Sequence, residues 1–273
     1  MAKLTSYPAS SRFDSGDIII KDGTAGTKKI AVKDAASEFS GLVSVENHRN
    51  TYRGKNLGNT VTAAQKSAIQ NGTFDDLYIG DYWTINGIVY RIADMDYWFN
   101  CGDTSFNKHH LVIVPDNILY NAQMNETNIT TGGYVGSKMY TENLNQAKTT
   151  ITAAFGDMLL THREYLTNAV SNGQPSAGAW FDSNVELMNE IMVYGSHVYA
   201  PMNNGTAIPN KYTIDKQQLA LFALNPKMVN RRYTYWLRDV VSAAYFACVN
   251  GSGNTYYGNA SNSYGVRPAF PVG

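Results

Sequence analysis

The stretch Tyr78–Ala93 constrains this chain more than any other. Asn86-Gly87 sits between two runs of apolar and β-branched residues. That dipeptide tolerates the positive φ angles of a type I′ turn, so an antiparallel hairpin is expected around it. Further strands are expected at His110–Pro115, Tyr233–Leu237 and Ser242–Val249, and a last one at Gly265–Phe270. The longest aliphatic runs are Ile18–Ile20 and Leu111–Val114. Both fall far short of the roughly 20 apolar residues that span a bilayer, so no membrane insertion is expected.

Helical signals are fewer. Thr62-Ala63-Ala64-Gln65 forms a capping box, and the helix it opens should stop at Gly72. Leu144–Val170 reads as a helical stretch interrupted near Gly156. Ser183-Asn184-Val185-Glu186 looks like a second capping box, opening a helix with Val185, Met188, Ile191 and Met192 on one stripe and Gly195 at its end. Together these elements predict an α+β class.

The N-terminal part differs from the rest. Ile18–Ile20, the turn signal Asp22-Gly23 and a return over Thr27–Val32 suggest a small hairpin, and Asp34–Phe39 suits a short helix. Such a unit has too little apolar content for a core of its own and should dock on a partner or a symmetry mate. Residues 41–60 are polar and basic without periodicity and read as a linker or extended arm. The expected organisation is therefore an N-terminal segment over 1–45, a linker and short helix over 46–73, and a larger domain over 74–273. Met1–Pro8 contains no apolar core of a secretory signal, so none is expected.

Charged residues make up 16% of the chain, against about 25% in typical soluble proteins, and the net charge is +0. A neutral chain without a basic run is a poor nucleic-acid binder, because such binding rests on neutralising phosphates. The charge deficit is sharpest in Tyr245–Tyr264. Fourteen of these twenty residues are Tyr, Asn, Ser or Gly, and none is charged. Antibody binding loops share this composition for a physical reason. Tyrosine offers a large, stiff, amphipathic contact at low entropic cost, and Asn and Ser offer adaptable hydrogen bonds. Within the stretch, Ala247 and Val249 should face a core, with Cys248 and Asn250 facing out. Gly251-Ser252-Gly253-Asn254 should form a tight turn that presents Tyr256 and Tyr257.

Trp236-Leu237-Arg238, the Tyr/Asn/Ser/Gly-rich stretch and Gly265-Val266-Arg267-Pro268-Ala269-Phe270 together resemble the C-terminal region of C-type-lectin-fold proteins, relatives of the formylglycine-generating-enzyme fold. More narrowly, they resemble the variable proteins that phage and bacterial retroelements diversify. Gly80-Asp81-Tyr82-Trp83 and the following hairpin look like the opening of that domain. The resemblance implies a C-type-lectin-like domain over 74–273 with a ligand face built from Tyr245, Cys248, Asn250, Ser252, Asn254, Tyr256, Tyr257, Asn259 and Asn262. The residue types at all nine positions are reachable from an Asn codon by adenine changes. It also implies supporting roles for Trp236, Arg238, Gly265, Arg267 and Pro268. Phe13-Asp14-Ser15-Gly16-Asp17 through Lys28-Lys29-Ile30 to Gly41-Leu42-Val43 resembles the start of phage head fibres, which implies an anchoring segment. The implied protein is a homotrimeric virion adhesin that binds a host-surface protein or glycan and attaches to a capsid or tail protein. A decoration protein without a ligand and an enzyme on the same fold are the alternatives.

The residues argue against chemistry. The calcium-site triplets of sugar-binding lectins are absent, and Cys101 and Cys248 are single and far apart, unlike the paired cysteines of formylglycine-generating enzymes. Two free thiols are expected rather than a disulfide. His109 and His110 would point to opposite faces of a strand, so they should not share a metal. Asp94 and Asp96 suit a turn after the hairpin better than a carboxylate pair. His162-Arg163-Glu164 reads as a solvated helix face, and no nucleophile-elbow GxSxG occurs. Arg238 and Arg267 should pair with carboxylates or cap carbonyls inside the fold. Neither a metal nor a cofactor is expected.

Overall fold

The computed structural model describes residues 18–21, 28–31, 45–166, 170–171, 174–175, 178–201 and 217–273. It is a mixed α+β protein dominated by sheets, with few and short helices. Met1–Asn47 and His48–Gly273 are two separate compact units. In the first, β1 (Ile18–Lys21) pairs antiparallel with β2 (Lys28–Ala31), in register from Ile18↔Ala31 to Lys21↔Lys28. The expected helix at Asp34–Phe39 lies outside the described residues.

The second unit begins within helix α1 (Val45–Arg49). From His48 onward, the stretch read as a linker or extended arm is grouped with this unit. Tyr52 and Asn56 form parallel bridges to Ile79 and Tyr82. Arg53 pairs with the buried Asp81 at 2.6 Å, and Arg49 grips Asp94 with two nitrogens at 2.5 and 3.1 Å. The polar residues that gave this segment its linker-like look are the partners of buried carboxylates. Helix α2 (Ala63–Gln70) starts as expected: Gln65 N donates to Thr62 Oγ1, and Thr62 N donates back to Gln65 Oε1. Gly72 follows it at φ +69°.

One five-stranded sheet runs in the order β11 (Glu186–Leu187), β16 (Pro268–Val272), β5 (Leu111–Pro115), β4 (Ile88–Met95), β3 (Tyr82–Ile85). The β3–β4 hairpin turns at Asn86 and Gly87, both at positive φ, as the type I′ signal requires. β5 and β16 are buried along their whole length. Helix α3 (Leu144–Phe155) sends Leu144, Ala147, Ile151 and Phe155 into the core. Phe155 meets Tyr90 and Phe270 edge-on there.

The helix expected to run on to Val170 stops at Gly156 and a short 3-10 turn. Residues 162–166 are instead strand β7 (His162–Leu166), paired with β10 (Ala179–Ser183). β8 (Val170–Ser171) and β9 (Gln174–Pro175) pair as a two-residue ribbon. The capping box expected at Ser183 is not one. Ser183 ends β10, and Glu186 and Leu187 pair with Ala269 and Pro268. The helix begins six residues later as α4 (Glu190–Tyr194), where Asn189 Oδ1 accepts from Met192 N, and Gly195 ends it in the left-handed region. Helix α5 (Ala220–Leu224) follows, and its Ala220 N donates to Asp94 Oδ2.

The second five-stranded sheet runs β14 (Thr255–Asn259), β13 (Tyr245–Val249), β12 (Tyr235–Val240), β15 (Ser263–Val266), β6 (Tyr120–Gln123). β12 and β15 are parallel at Tyr235↔Gly265 and the other pairs antiparallel. The single strand expected at Gly265–Phe270 is two. The chain leaves β15 at Arg267 and enters β16 in the other sheet, so Arg267 stands at the crossing.

Candidate functional site

The supporting residues of the C-terminal region are all interior. Trp236 is fully buried and donates its Nε1–H to Ala122 O at 2.9 Å. Gly265 has no room for a side chain, since a Cβ there would lie 2.2 Å from Ile118. Arg267 is fully buried and donates to Pro115 O, Met228 O and the Tyr235 hydroxyl, with its guanidinium over the Phe222 and Tyr235 rings. Arg238 pairs with Glu164 at 2.6 Å and donates to Leu187 O. The expectation for the two arginines therefore holds: one meets a carboxylate, the other carbonyls. Pro268 is buried at the start of β16.

On this base stands the β13–β14 hairpin. Its register is unbroken, from Tyr245↔Asn259 to Val249↔Thr255. Asn250 Oδ1 accepts from Ser252 N at 2.9 Å and Asn254 N at 3.0 Å, which closes the turn, and Tyr194 donates its hydroxyl to Gly253 O. Gly258 lets Trp236 and Tyr264 approach the strand; a Cβ there would lie 2.5 Å from Tyr264. These contacts hold the hairpin on the base beneath it.

The nine expected ligand-facing residues divide. Cys248 is fully buried, and burial pushes its thiol up to about 12. Phe246, Ala247, Cys248 and Val249 are all interior, because β13 lies between β12 and β14 and is covered on both faces. The expected in–out alternation therefore fails there. Asn250 is committed to its turn, and Asn262 donates its amide to the Tyr264 hydroxyl at 2.8 Å. The other six, Tyr245, Ser252, Asn254, Tyr256, Tyr257 and Asn259, are half-buried or exposed. Their side chains make no hydrogen bond among the described residues.

The tyrosines form a cluster. Tyr256 and Tyr257 stack at 5.1 Å and 11°, and Tyr245 tilts against Tyr257 at 5.1 Å. A fourth ring joins them: Tyr199 meets Tyr257 at 5.0 Å and Tyr256 at 6.4 Å, both edge-on. Nothing in the sequence marked Tyr199, which lies far outside the Tyr-rich window. It is brought there by Glu190. That carboxylate is fully buried and accepts from Val198 N, Tyr199 N and Ala200 N. It also accepts the Thr255 hydroxyl of β14 at 2.9 Å. One buried acid thus ties two distant segments into one surface.

The other candidates resolve as structure. Asp94 is buried and pairs with Arg49 and Ala220 N. Asp96 follows a register shift in β4, has φ +52° and binds the His109 ring and His110 N. His110 is fully buried, and burial lowers its value to about 3. His162 and Glu164, expected on a solvated helix, are buried in strand β7, 3.0 Å apart, with Glu164 against Arg238. Beside them Glu186 is buried and accepts the Tyr134 hydroxyl at 2.7 Å; burial raises its value to about 7. Among the described residues, no group of three or more His, Cys, Asp or Glu is placed to hold a metal ion, and no helix is long and apolar enough to cross a membrane. Both cysteines are free thiols.

No family model, curated protein or solved structure matches this chain.

Proposed function

We propose that this protein is a virion-attached recognition protein of a bacteriophage, a receptor-binding adhesin whose larger unit has a C-type-lectin-like fold. One observation carries the reading. Four tyrosine rings pack on an uncharged hairpin, and their four hydroxyls have no partner among the described residues. Tyrosines that serve folding alone bury or bond their polar ends; a contact surface leaves them open. Ser252, Asn254 and Asn259 of the same hairpin have unbonded side chains, adding adaptable donors and acceptors. The head-fibre-like N-terminal block supplies the anchor in this reading, and several copies per particle would turn weak single contacts into firm attachment. The function needs no cofactor or catalytic step.

The test is binding of the labelled protein to a panel of intact bacterial strains. Wild-type protein should bind at least one strain, and a Tyr256→Ala, Tyr257→Ala variant of equal stability should bind it at least tenfold more weakly. Equal binding by the two would remove the hairpin from the function. No binding to any strain would favour a decoration role.

A further inference from the structure

Each five-stranded sheet has two edges, and exposed edges present unpaired N–H and C=O groups that invite another strand. In three of the four, the chain supplies its own cover. At β3, Tyr82 N donates to Lys55 O, while Leu57 N donates to Tyr82 O and Thr84 N to Gly58 O. At β6, Asn143 donates its amide to Gln123 O, and Met139 N donates to Met124 O. At β11, Leu187 N donates to the Tyr134 hydroxyl, and Arg238 donates to Leu187 O.

β14 is the exception. Asn250 N donates to Asn254 O, and Ala260 N donates to Ala244 O. Antiparallel ladders alternate bonded and unbonded pairs, so Tyr256 and Gly258 bond to β13. The N–H groups of Thr255, Tyr257 and Asn259 and the C=O groups of Thr255 and Tyr257 then point away from the sheet. No described residue bonds to them. The strand also lacks the usual guards: Thr255–Asn259 has no charge, no proline and no bulge in its register.

We infer that an extended, uncharged segment of the receptor protein adds to β14 as a further strand. This rests on the adhesin reading above. Five outward backbone groups supply sequence-independent hydrogen bonds, while Tyr257 with Tyr199 and Tyr245 on one face, and Tyr256 beside them, select alternate side chains of the incoming strand. The absence of charge on β14 matches an uncharged partner strand. A second copy of this chain would fit the same edge, but it would cover the tyrosines that the reading requires to be open.

The test separates backbone from side chain at one residue. Asn259 makes no side-chain hydrogen bond and its N–H points outward, so Asn259→Pro deletes the outward donor while Asn259→Ala keeps it. The probe is a yeast-displayed library of random decapeptides without charged residues. Wild-type and Asn259→Ala proteins should enrich and bind the same peptides with equal affinity, and Asn259→Pro should bind them at least tenfold more weakly. Amide exchange on the wild-type protein gives the same answer without a variant: bound peptide should slow Tyr257 and Asn259 N–H at least tenfold. Failure to enrich any peptide, or exchange unchanged by the peptide, overturns the inference. Dimerisation of the protein, abolished by Asn259→Pro, overturns the choice of occupant. If Asn259→Pro binds peptide as Asn259→Ala does, while the Tyr256→Ala, Tyr257→Ala variant loses it, strand addition fails and the adhesin reading stands.

Discussion

Four tyrosines bonded into the fold and the four of the β13–β14 face differ in what their hydroxyls do; Tyr90, buried with an unbonded hydroxyl, belongs to neither set. Tyr134 donates to Glu186, Tyr120 to Asn143 O, Tyr194 to Gly253 O and Tyr235 to Val229 O. Tyr199, Tyr245, Tyr256 and Tyr257 hold their rings against one another and their hydroxyls against no described residue. The contrast extends to the polypeptide around them. Trp236, Arg238 and Arg267 are interior and bonded, whereas Ser252, Asn254 and Asn259 are open. The same residue type serves the fold in one region and is available to a partner in the other. Stability and recognition are therefore separable by substitution, and that separation can be attacked from either side.

The largest effect belongs to the interior. Arg267→Ala strands two carbonyls and opens a cavity beneath two rings, so it should cost about 3–5 kcal/mol in denaturant unfolding. A loss under about 1 kcal/mol would break the comparison, because the bonds of the interior would then carry no more stability than the open face does.

The next effect is in pH. Glu186 has its value raised from 4.5 to about 7 by burial, so the fold favours its protonated form. Its contribution is fully present below pH 4.5 and is lost as pH rises through 7. Unfolding free energy should fall by about 2–3 kcal/mol between pH 5 and pH 8, and Glu186→Gln should flatten that slope. A slope unchanged in the variant would place the titrating group elsewhere. His110 acts in the opposite direction. Held down to about 3 by burial, it contributes stability above its unfolded value of 6.5 that is lost as pH falls toward 3.

On the face, Tyr199→Ala should weaken cell binding about tenfold, near 1.4 kcal/mol, with the melting temperature shifted by only a few degrees. Tyr233 sharpens the point. It is the most exposed large hydrophobic side chain described, at 56%, but belongs to no ring cluster. Tyr233→Ala should change binding by less than about twofold, since exposed area alone does not make a hot spot. Equal losses at 199 and 233 would mean that exposure, not the cluster, sets the contact.

The smallest expected effect is none at all. Cys101 and Cys248 are buried and free, so a thiol reagent should leave the native protein unlabelled and find two thiols in denaturant. Rapid labelling of Cys248 in the native protein would return it to the surface.

Local signals in the sequence survived where their partners were local. Asn86-Gly87 turned the hairpin, and Thr62 and Gln65 capped each other. Ser183 failed because the residues after it found better partners in Pro268 and Ala269, more than eighty positions away. His162-Arg163-Glu164 looked solvated because the cation that buries Glu164 is Arg238. The basic stretch near 50 looked like a linker because Asp81 and Asp94, its counterions, lie in another element. Composition picked out six residues that are half-buried or exposed with unbonded side chains. The misplacement of Cys248 came from treating β13 as half-buried when it is an inner strand. Tyr199 was invisible for the same non-local reason.

Glu190 has a consequence for any survey of variants. It is fully enclosed, but it sets the position of Tyr199 relative to β14. A saturation library scored only for attachment would rank position 190 with the contact residues. Such a map would outline the receptor's footprint wrongly unless folding were scored in parallel. The buried acid is where inheritance can shift the aim of the surface without altering a single group upon it.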